Sequence, residues 1–477
     1  MRLRPERVQL FLTDCRARLP FRFGAAVLTA APLCTARLEC SSPSGARVEG
    51  AAADLLVPRW FRKDPARSVR EDVEELLASA QEAAAELLAP AAPAASAFAH
   101  WLRLERARVT ALDFAAPQRL VRGFGVALLE RALLDAACRA AGCSFFEGLR
   151  RDLFGFQPQA ALAELATWSL ADCLPAAPAE RVLLRHTVGL ADPLHAAEIA
   201  PGERLHDGLP QALDQDIRRY GLRCFKLKLS GDPGRDLERL VRSARVIEEE
   251  CGAPQAVTLD GNEQFASLED LARLLEGVAR TPEGGRLLRA LHYIEQPLPR
   301  QWTFDAARHR ALGAVEAFAP LLIDEADAGV EAFPRAAELG YRGVSIKNCK
   351  GVFRALLNFG LCARSNGRLF QSGEDLTNLP IVALQQDLAT MAALGVAHVE
   401  RNGHHYFRGL EHLPPAEARE ALARHPDLYE PQAHGAGLRI RDGILELRSL
   451  QCPGYGYAVA PRWEARIPAQ DWRFPEA

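Results

Sequence analysis

The chain has 477 residues, 48% hydrophobic and 25% charged, with 58 Lys and Arg against 61 Asp and Glu for a formal net charge of -3. This is the composition of a globular protein with a large core, longer than one ordinary domain of roughly 100–200 residues. It offers no strong positive field to nucleic acid or an anionic membrane. Eleven cysteines without CxxC or CxxxC spacing argue against a disulfide framework or a zinc-thiolate site and for a cytoplasmic setting.

The first residues, "MRLRPERVQLFLTD", are basic, but no apolar signal core follows them directly. The best apolar run, "FGAAVLTAAPLC" (23–34), holds Pro32 and is too short to cross a bilayer. "RVQLFLT" (7–13), "AAVLTAAPLCTARLE" (25–39) and "ARVEGAA" (46–52) read as strands separated by turn residues. A helix follows over 68–88, where Ser68 and Glu71 have capping-box spacing and Val73, Leu76, Leu77 and Ala80 share a face. "APAAPAASA" (89–97) breaks it, and a second helix over 124–142 stops near Gly142. Strands followed by helices predict a small α+β domain over residues 1–145.

From about residue 180 the pattern alternates strand and helix. The strand candidates are "VLLRHTVGL", "LRCFKLKL", "AVTLD", "LHYIE", "LLIDE", "GVSIK", "RLFQS" and "VAHVE", and most of the gaps between them hold amphipathic segments such as 234–250 and 267–279. Eight strands with intervening helices predict a parallel β/α barrel over 146–436. An open doubly wound sheet carrying a dinucleotide is the alternative, but no GxGxxG turn follows a strand. The tail, 437–477, begins with a predicted hairpin turning at Asp442–Gly443, outside the barrel count.

Charged residues recur at the predicted C-terminal strand ends, where barrel enzymes keep their chemistry. Lys226 and Lys228 end the second strand, Asp260 the third, Glu295 the fourth, Asp324 and Glu325 the fifth, and Lys347 the sixth. Lys228, Asp260, Glu295, Asp324 and Lys347 follow one another at 32, 35, 29 and 23 residues, about one β/α unit each. A lone strand-end carboxylate is commonly a helix cap, but this periodic set predicts one shared mouth. Three carboxylates without His or Cys suit a hard cation such as Mg²⁺, with Asn262 beside them. Mutual repulsion and burial are expected to depress the lysine pKa values, making one a base. Lys228 and Lys347, on either side of the carboxylate strands, would then face one carbon from both sides.

"KLK" (226–228), "LDGN" (259–262), "IEQP" (294–297), "IDE" (323–325) and "SIKNCKG" (345–351) resemble the motifs of the enolase superfamily. A sixth-strand lysine brings the chain closer to the muconate-lactonizing-enzyme-like subgroup, with two lysine bases, than to the mandelate racemase branch. The resemblance implies a modified (β/α)7β TIM-like barrel with an N-terminal capping domain, completed by the C-terminal tail. It implies Mg²⁺, or Mn²⁺, on Asp260, Glu295 and Asp324, and Lys228 and Lys347 as the acid/base pair. Lys226 would neutralise a substrate carboxylate as an enediolate forms. The overall reaction would be racemisation, epimerisation or cycloisomerisation of a small carboxylic acid. Dehydration or another lyase reaction on the same site is the alternative, and a non-catalytic binding or assembly barrel is the alternative of another class. A homo-oligomer is also implied.

There are departures. Only Gly351 follows the sixth-strand lysine where the family often has two glycines. The segments "FQSGEDLTN" (370–378) and "HVERNGHHYF" (398–407) match no substrate signature. Gln371, Ser372, Glu374, Asp375 and Arg401, together with Glu325 and Asn262, are candidate substrate or supporting contacts. His404 and His405 read equally as loop surface or as function. Segments 18–24 and 55–65, the latter bringing Trp60, Phe61, Arg62 and Lys63, read equally as substrate-covering loops or as surface turns.

Overall fold

The structure is a computed structural model that describes every residue except 25, 43, 90–92, 434, 476 and 477. Residues 90–92 of the predicted helix-breaking segment therefore lie outside the described residues. Three antiparallel strands, β1 (Arg4–Phe23), β2 (Ala26–Ser41) and β3 (Arg47–Leu55), open the chain. They are longer than the period-2 runs suggest, because alternation can be read only on the half-buried part of each strand.

The helix Val69–Leu87 starts on the Ser68–Glu71 capping box, both reciprocal bonds being present. The helix Arg119–Ala141 ends at Gly142, whose φ of 61° is the left-handed conformation that glycine tolerates. It packs directly on β3. Gly50 makes that approach possible, since a Cβ there would lie 2.2 Å from the Ala132 carbonyl oxygen.

Eight parallel strands follow: β4 (Arg181–Val188), β5 (Cys224–Lys228), β6 (Ala256–Asp260), β7 (Leu291–Glu295), β8 (Leu321–Ile323), β9 (Gly343–Ile346), β10 (Phe370–Gly373) and β11 (His398–Arg401). Each pairs with the next, and β11 pairs back with β4, closing the barrel. All eight fall on the strand candidates. β5 and β6 are buried on both faces along their whole length, as a parallel sheet sheathed in helices requires.

The predicted hairpin turn in the tail is present, but its two arms continue to different partners. β12 (Tyr429–Gln432) and β13 (Gly435–Leu438) form a hairpin of their own, while β14 (Ile444–Glu446) adds antiparallel to β4. The Asp442–Gly443 turn is present, both residues having positive φ. Arg441 and Ile444 exchange both backbone hydrogen bonds across it, and beyond that pair the second arm leaves β13 for the N-terminal end of β4, which extends past the start of β5. β15 (Ile467–Pro468) then pairs with β1 at Leu12 and Phe11, so the chain end returns to the cap. No helix among the described residues is long and apolar enough to cross a membrane.

Candidate active site

Period-2 alternation puts Lys226 and Lys228 on one face of β5, inside the barrel. Lys228 is level with Asp260 of β6, and Asp260 with Glu295 of β7. Asp324, Lys347 and Glu374 follow β8, β9 and β10, and Glu400 lies on β11. All eight of these side chains are buried, with Lys228 and Lys347 the most accessible at 7% and 5%.

The Lys226 ammonium lies 2.6 Å from Glu295, 2.7 Å from Glu374, 2.9 Å from Glu400 and 3.0 Å from Asp260. Lys228 Nζ is 2.5 Å from Asp260 Oδ2, and Lys347 Nζ is 2.5 Å from Asp324 Oδ2. Burial works against the charge on Lys226, but its four carboxylates outweigh it and raise its pKa well above the ordinary lysine value. Lys347 is raised in the same way, against burial, by Asp324. This corrects the expectation of lysines depressed by mutual repulsion. The charges nearest each ammonium are carboxylates.

Glu295 behaves oppositely: burial, then Asp260 and Glu374, push its carboxyl well above the usual range. Neither of its oxygens makes a well-directed hydrogen bond, although both are buried. A buried carboxylate in that state calls for a cation. Five carboxylates converge on three ammonium groups, with Arg185 on Glu374 and Lys350 on Asp324 at the edge of the cluster. The donors are all oxygens, which fits a hard ion.

The cap seals the mouth. The Trp60 ring lies 4.5 Å from Lys347 Nζ, and the Phe21 ring 6.0 Å from Lys228 Nζ. The loop carrying Trp60 is fastened by Arg300, which donates to the Trp60 and Phe61 carbonyls at 2.8 Å and pairs with Glu263 at 2.8 Å. Lys63 reaches Glu263 Oε2 at 2.6 Å, the Asn262 carbonyl at 2.7 Å and Glu325 Oε1 at 3.3 Å. A cavity of about 490 Å³ opens on the far side of this Lys63–Glu325 contact, between the cap loop and the loops after β6, β7 and β8.

A protein-family model described as enolase C-terminal domain-like matches residues 209–462, more than half of the chain. The chain belongs to the mandelate racemase/muconate lactonizing enzyme group of the enolase superfamily. No curated protein matches the sequence. Among solved structures, muconate lactonizing enzyme from Pseudomonas fluorescens, complexed with muconolactone, superposes with a TM-score of 0.60 at 17% identity, covering 96% of each chain. An enolase from Bradyrhizobium complexed with magnesium and mandelic acid gives 0.60 at 16% identity, over 98% of this chain and 99% of that one. Dipeptide epimerase from Cytophaga hutchinsonii, complexed with Mg and D-Ala-L-Val, gives 0.59 at 14%, over 97% and 98%.

The enolase-superfamily barrel brings together Lys226, Lys228, Lys347, Asp260, Glu295, Asp324 and Glu374, with Asn262 and Glu325 beside them. Other expected contacts go elsewhere. Gln371 donates to the Ala355 carbonyl in the helix outside β10. Arg401 pairs with Asp387 and, at 3.2 Å, with Asp375. Ser372 lies deeper in the barrel, 2.6 Å from Tyr293 Oη. Gln371 and Arg401 fail as mouth residues because they sit one position out of phase with the inward face of β10 and β11.

Glu400 was missed. His398 and Glu400 share the inward face, so the strand-end rule that picked out Glu295 would have selected it. Lys350, 2.9 Å from Asp327 and 3.5 Å from Asp324, and Arg300 carry no comparable sequence signal. Both act from loops.

Proposed function

We propose that this chain removes the proton α to the carboxylate of a small organic acid and returns a proton to the same carbon system, as a racemase, epimerase or cycloisomerase. The observation that carries this reading is the flanking of Asp260, Glu295 and Asp324 by Lys228 on β5 and Lys347 on β9, each under an aromatic ring of the cap. The magnesium and mandelic acid named for the Bradyrhizobium structure and the magnesium and dipeptide of the epimerase are consistent with it.

Asp260, Glu295 and Asp324 would hold Mg²⁺ or Mn²⁺. Bound there, the ion supplies Lewis-acid stabilisation of the negative charge that proton removal creates on the substrate carboxylate. Lys226, drawn among four carboxylates, adds fixed positive charge on the same side. Lys347 and Lys228 stand 2.5 Å from Asp324 and Asp260, beside the carboxylates that would hold the ion and on opposite sides of them. One lysine accepts the α-proton, and the other, across the carboxylate strands, delivers one to the opposite face. Trp60 and Phe21 exclude water while the enediolate exists.

The test is NMR of α-proton exchange in D₂O with a panel of amino acids, N-acyl amino acids, dipeptides, sugar acids and lactones. Exchange that requires Mg²⁺ and stops with EDTA is expected, and Lys347→Ala and Lys228→Ala should each suppress one face of exchange. Exchange that both variants retain in full would overturn the assignment. The lyase alternative would appear as loss of a leaving group after exchange. A binding barrel would bind Mg²⁺ without exchange.

A further inference from the structure

His404 and His405 are not loop surface. They lie in the short turn Gly403–Tyr406 after β11, buried against the outside of the barrel where its last strand closes on its first. His186 on β4 and Asp216 in the helix Leu213–Tyr220 meet them there. None of the four exceeds 8% exposure, and three are at 2% or below.

One ligand atom each from His186, Asp216 and His405 lies within 4.8 Å of the other two. His405 Nδ1 is 2.8 Å from Asp216 Oδ2, and His186 Nε2 is 3.9 Å from the same oxygen. The 2.8 Å contact pairs His405 Nδ1 with Asp216 Oδ2. Beyond it, Asp216 Oδ1, His405 Nε2 and His404 Nδ1 are buried without a hydrogen-bond partner. Three such atoms in one cluster are costly unless something else satisfies them. Ligands of a tetrahedral ion at about 2.0 Å stand about 3.3 Å apart, and the two measured separations bracket that spacing.

The remaining contact is a further sign of design for a metal. His186 Nδ1 lies 3.1 Å from His404 Nε2. A metal-ligating imidazole characteristically directs its other ring nitrogen to a hydrogen-bond partner that fixes its tautomer and orientation. His404 is in that place.

We propose that His186, Asp216 and His405 bind a divalent transition-metal ion of the Zn²⁺ class, with His404 orienting His186. Two imidazoles and a carboxylate favour such an ion over Mg²⁺, which prefers oxygens alone. This is a second site, separate from the oxygen-lined mouth. Its role is structural: it joins β4, the helix Leu213–Tyr220 and the turn after β11 across the barrel seam. The same turn meets the cap, since Arg18 Nη1 donates to the His405 carbonyl at 2.7 Å and Tyr406 stacks on Phe21 with centroids 4.3 Å apart.

The test uses the full chain, purified untagged, freed of metal and titrated with Co²⁺ in excess Mg²⁺. Uptake of a single equivalent is expected, with the intense visible absorption of nitrogen-ligated tetrahedral cobalt. X-ray absorption on the unmutated protein should show imidazole scattering. The spectrum should persist in Asp260→Asn and vanish in His405→Gln and Asp216→Asn. No uptake, an oxygen-only ligand shell, or uptake that survives His405→Gln would overturn the site. The X-ray absorption result stands even where a buried variant fails to fold.

Discussion

Replacing Glu295 with glutamine separates the stability of the site from its affinity for a cation. Without a divalent ion, burial first, and then Asp260 and Glu374, already drive the Glu295 carboxyl toward its neutral form. The 2.6 Å contact with Lys226 is the one the amide weakens, and Lys226 keeps Asp260, Glu374 and Glu400. Glu295→Gln is therefore expected to leave the cation-free protein as stable as the parent or slightly more so. Cation binding, in contrast, needs the charge: glutamine makes the cluster one charge less negative and would remove one of the three proposed ligands. Loss of an outer-shell partner alone costs a metal site 10–100-fold in affinity, so the loss here should reach about 100-fold. At a Mg²⁺ concentration about 100 times the parent Kd, linkage gives about 2.7 kcal/mol of stabilisation to the parent. It gives about 0.4 kcal/mol to a variant bound 100-fold more weakly. Urea unfolding over a Mg²⁺ series, with EDTA as the blank, reads both quantities. Equal Mg²⁺ stabilisation of the two proteins, or a large loss of stability in EDTA, would refute the reasoning.

Trp60→Ala removes a fully packed ring at a cost of about 3–5 kcal/mol and uncovers Lys347. Peptide mass spectrometry after brief acylation should show Lys347 modified much faster than in the parent; an unchanged rate would mean that Trp60 is not the cover. Glu130 in the helix Arg119–Ala141 is raised to about 8, chiefly by burial, with the Phe353 amide and Arg131 opposing. Its folded pKa exceeds its unfolded one, so its contribution is fully present below about 4.5 and is lost as pH rises through about 8. Glu130→Gln should flatten that loss, by at most about 5 kcal/mol, and a parallel pH–stability curve would contradict this. Gly50→Ala forces a methyl against the Ala132 carbonyl and should lower the urea midpoint by about 1–3 kcal/mol of stability, whereas an unchanged midpoint would show that the helix can retreat without cost.

The barrel and most of its charged mouth were legible in the sequence because both follow local rules. A parallel strand buried on both faces is a short apolar run, and a functional side chain at its end breaks that run at a fixed phase. Lys226, Lys228, Asp260, Glu295, Asp324 and Lys347 all carry this mark, and so does Glu400, although Arg401 drew attention away from it. The capping box at Ser68 and the stop at Gly142 are equally local. What depended on contacts between distant segments was hidden. Whether a lysine is raised or depressed depends on which charge lies nearest in space, and the spacing of 226 and 228 says nothing of Glu374 or Glu400 closing round the same ammonium. The fate of β14 depended on the N-terminal end of β4, which extends past the start of β5, some 260 residues earlier. Lys63 and Trp60 are held at the mouth by contacts from distant segments, Arg300 on the Trp60 and Phe61 carbonyls and Glu75 on Arg62 among them. His186, Asp216 and His405 lie on three elements that meet only once the barrel closes. By itself the sequence determined which residues could serve as strands, ligands and bases, since those properties belong to side chains and their periodicity. The tertiary structure decided which of them share a charge, a cover or an ion, because electrostatic coupling depends on distance in space and not on distance along the chain.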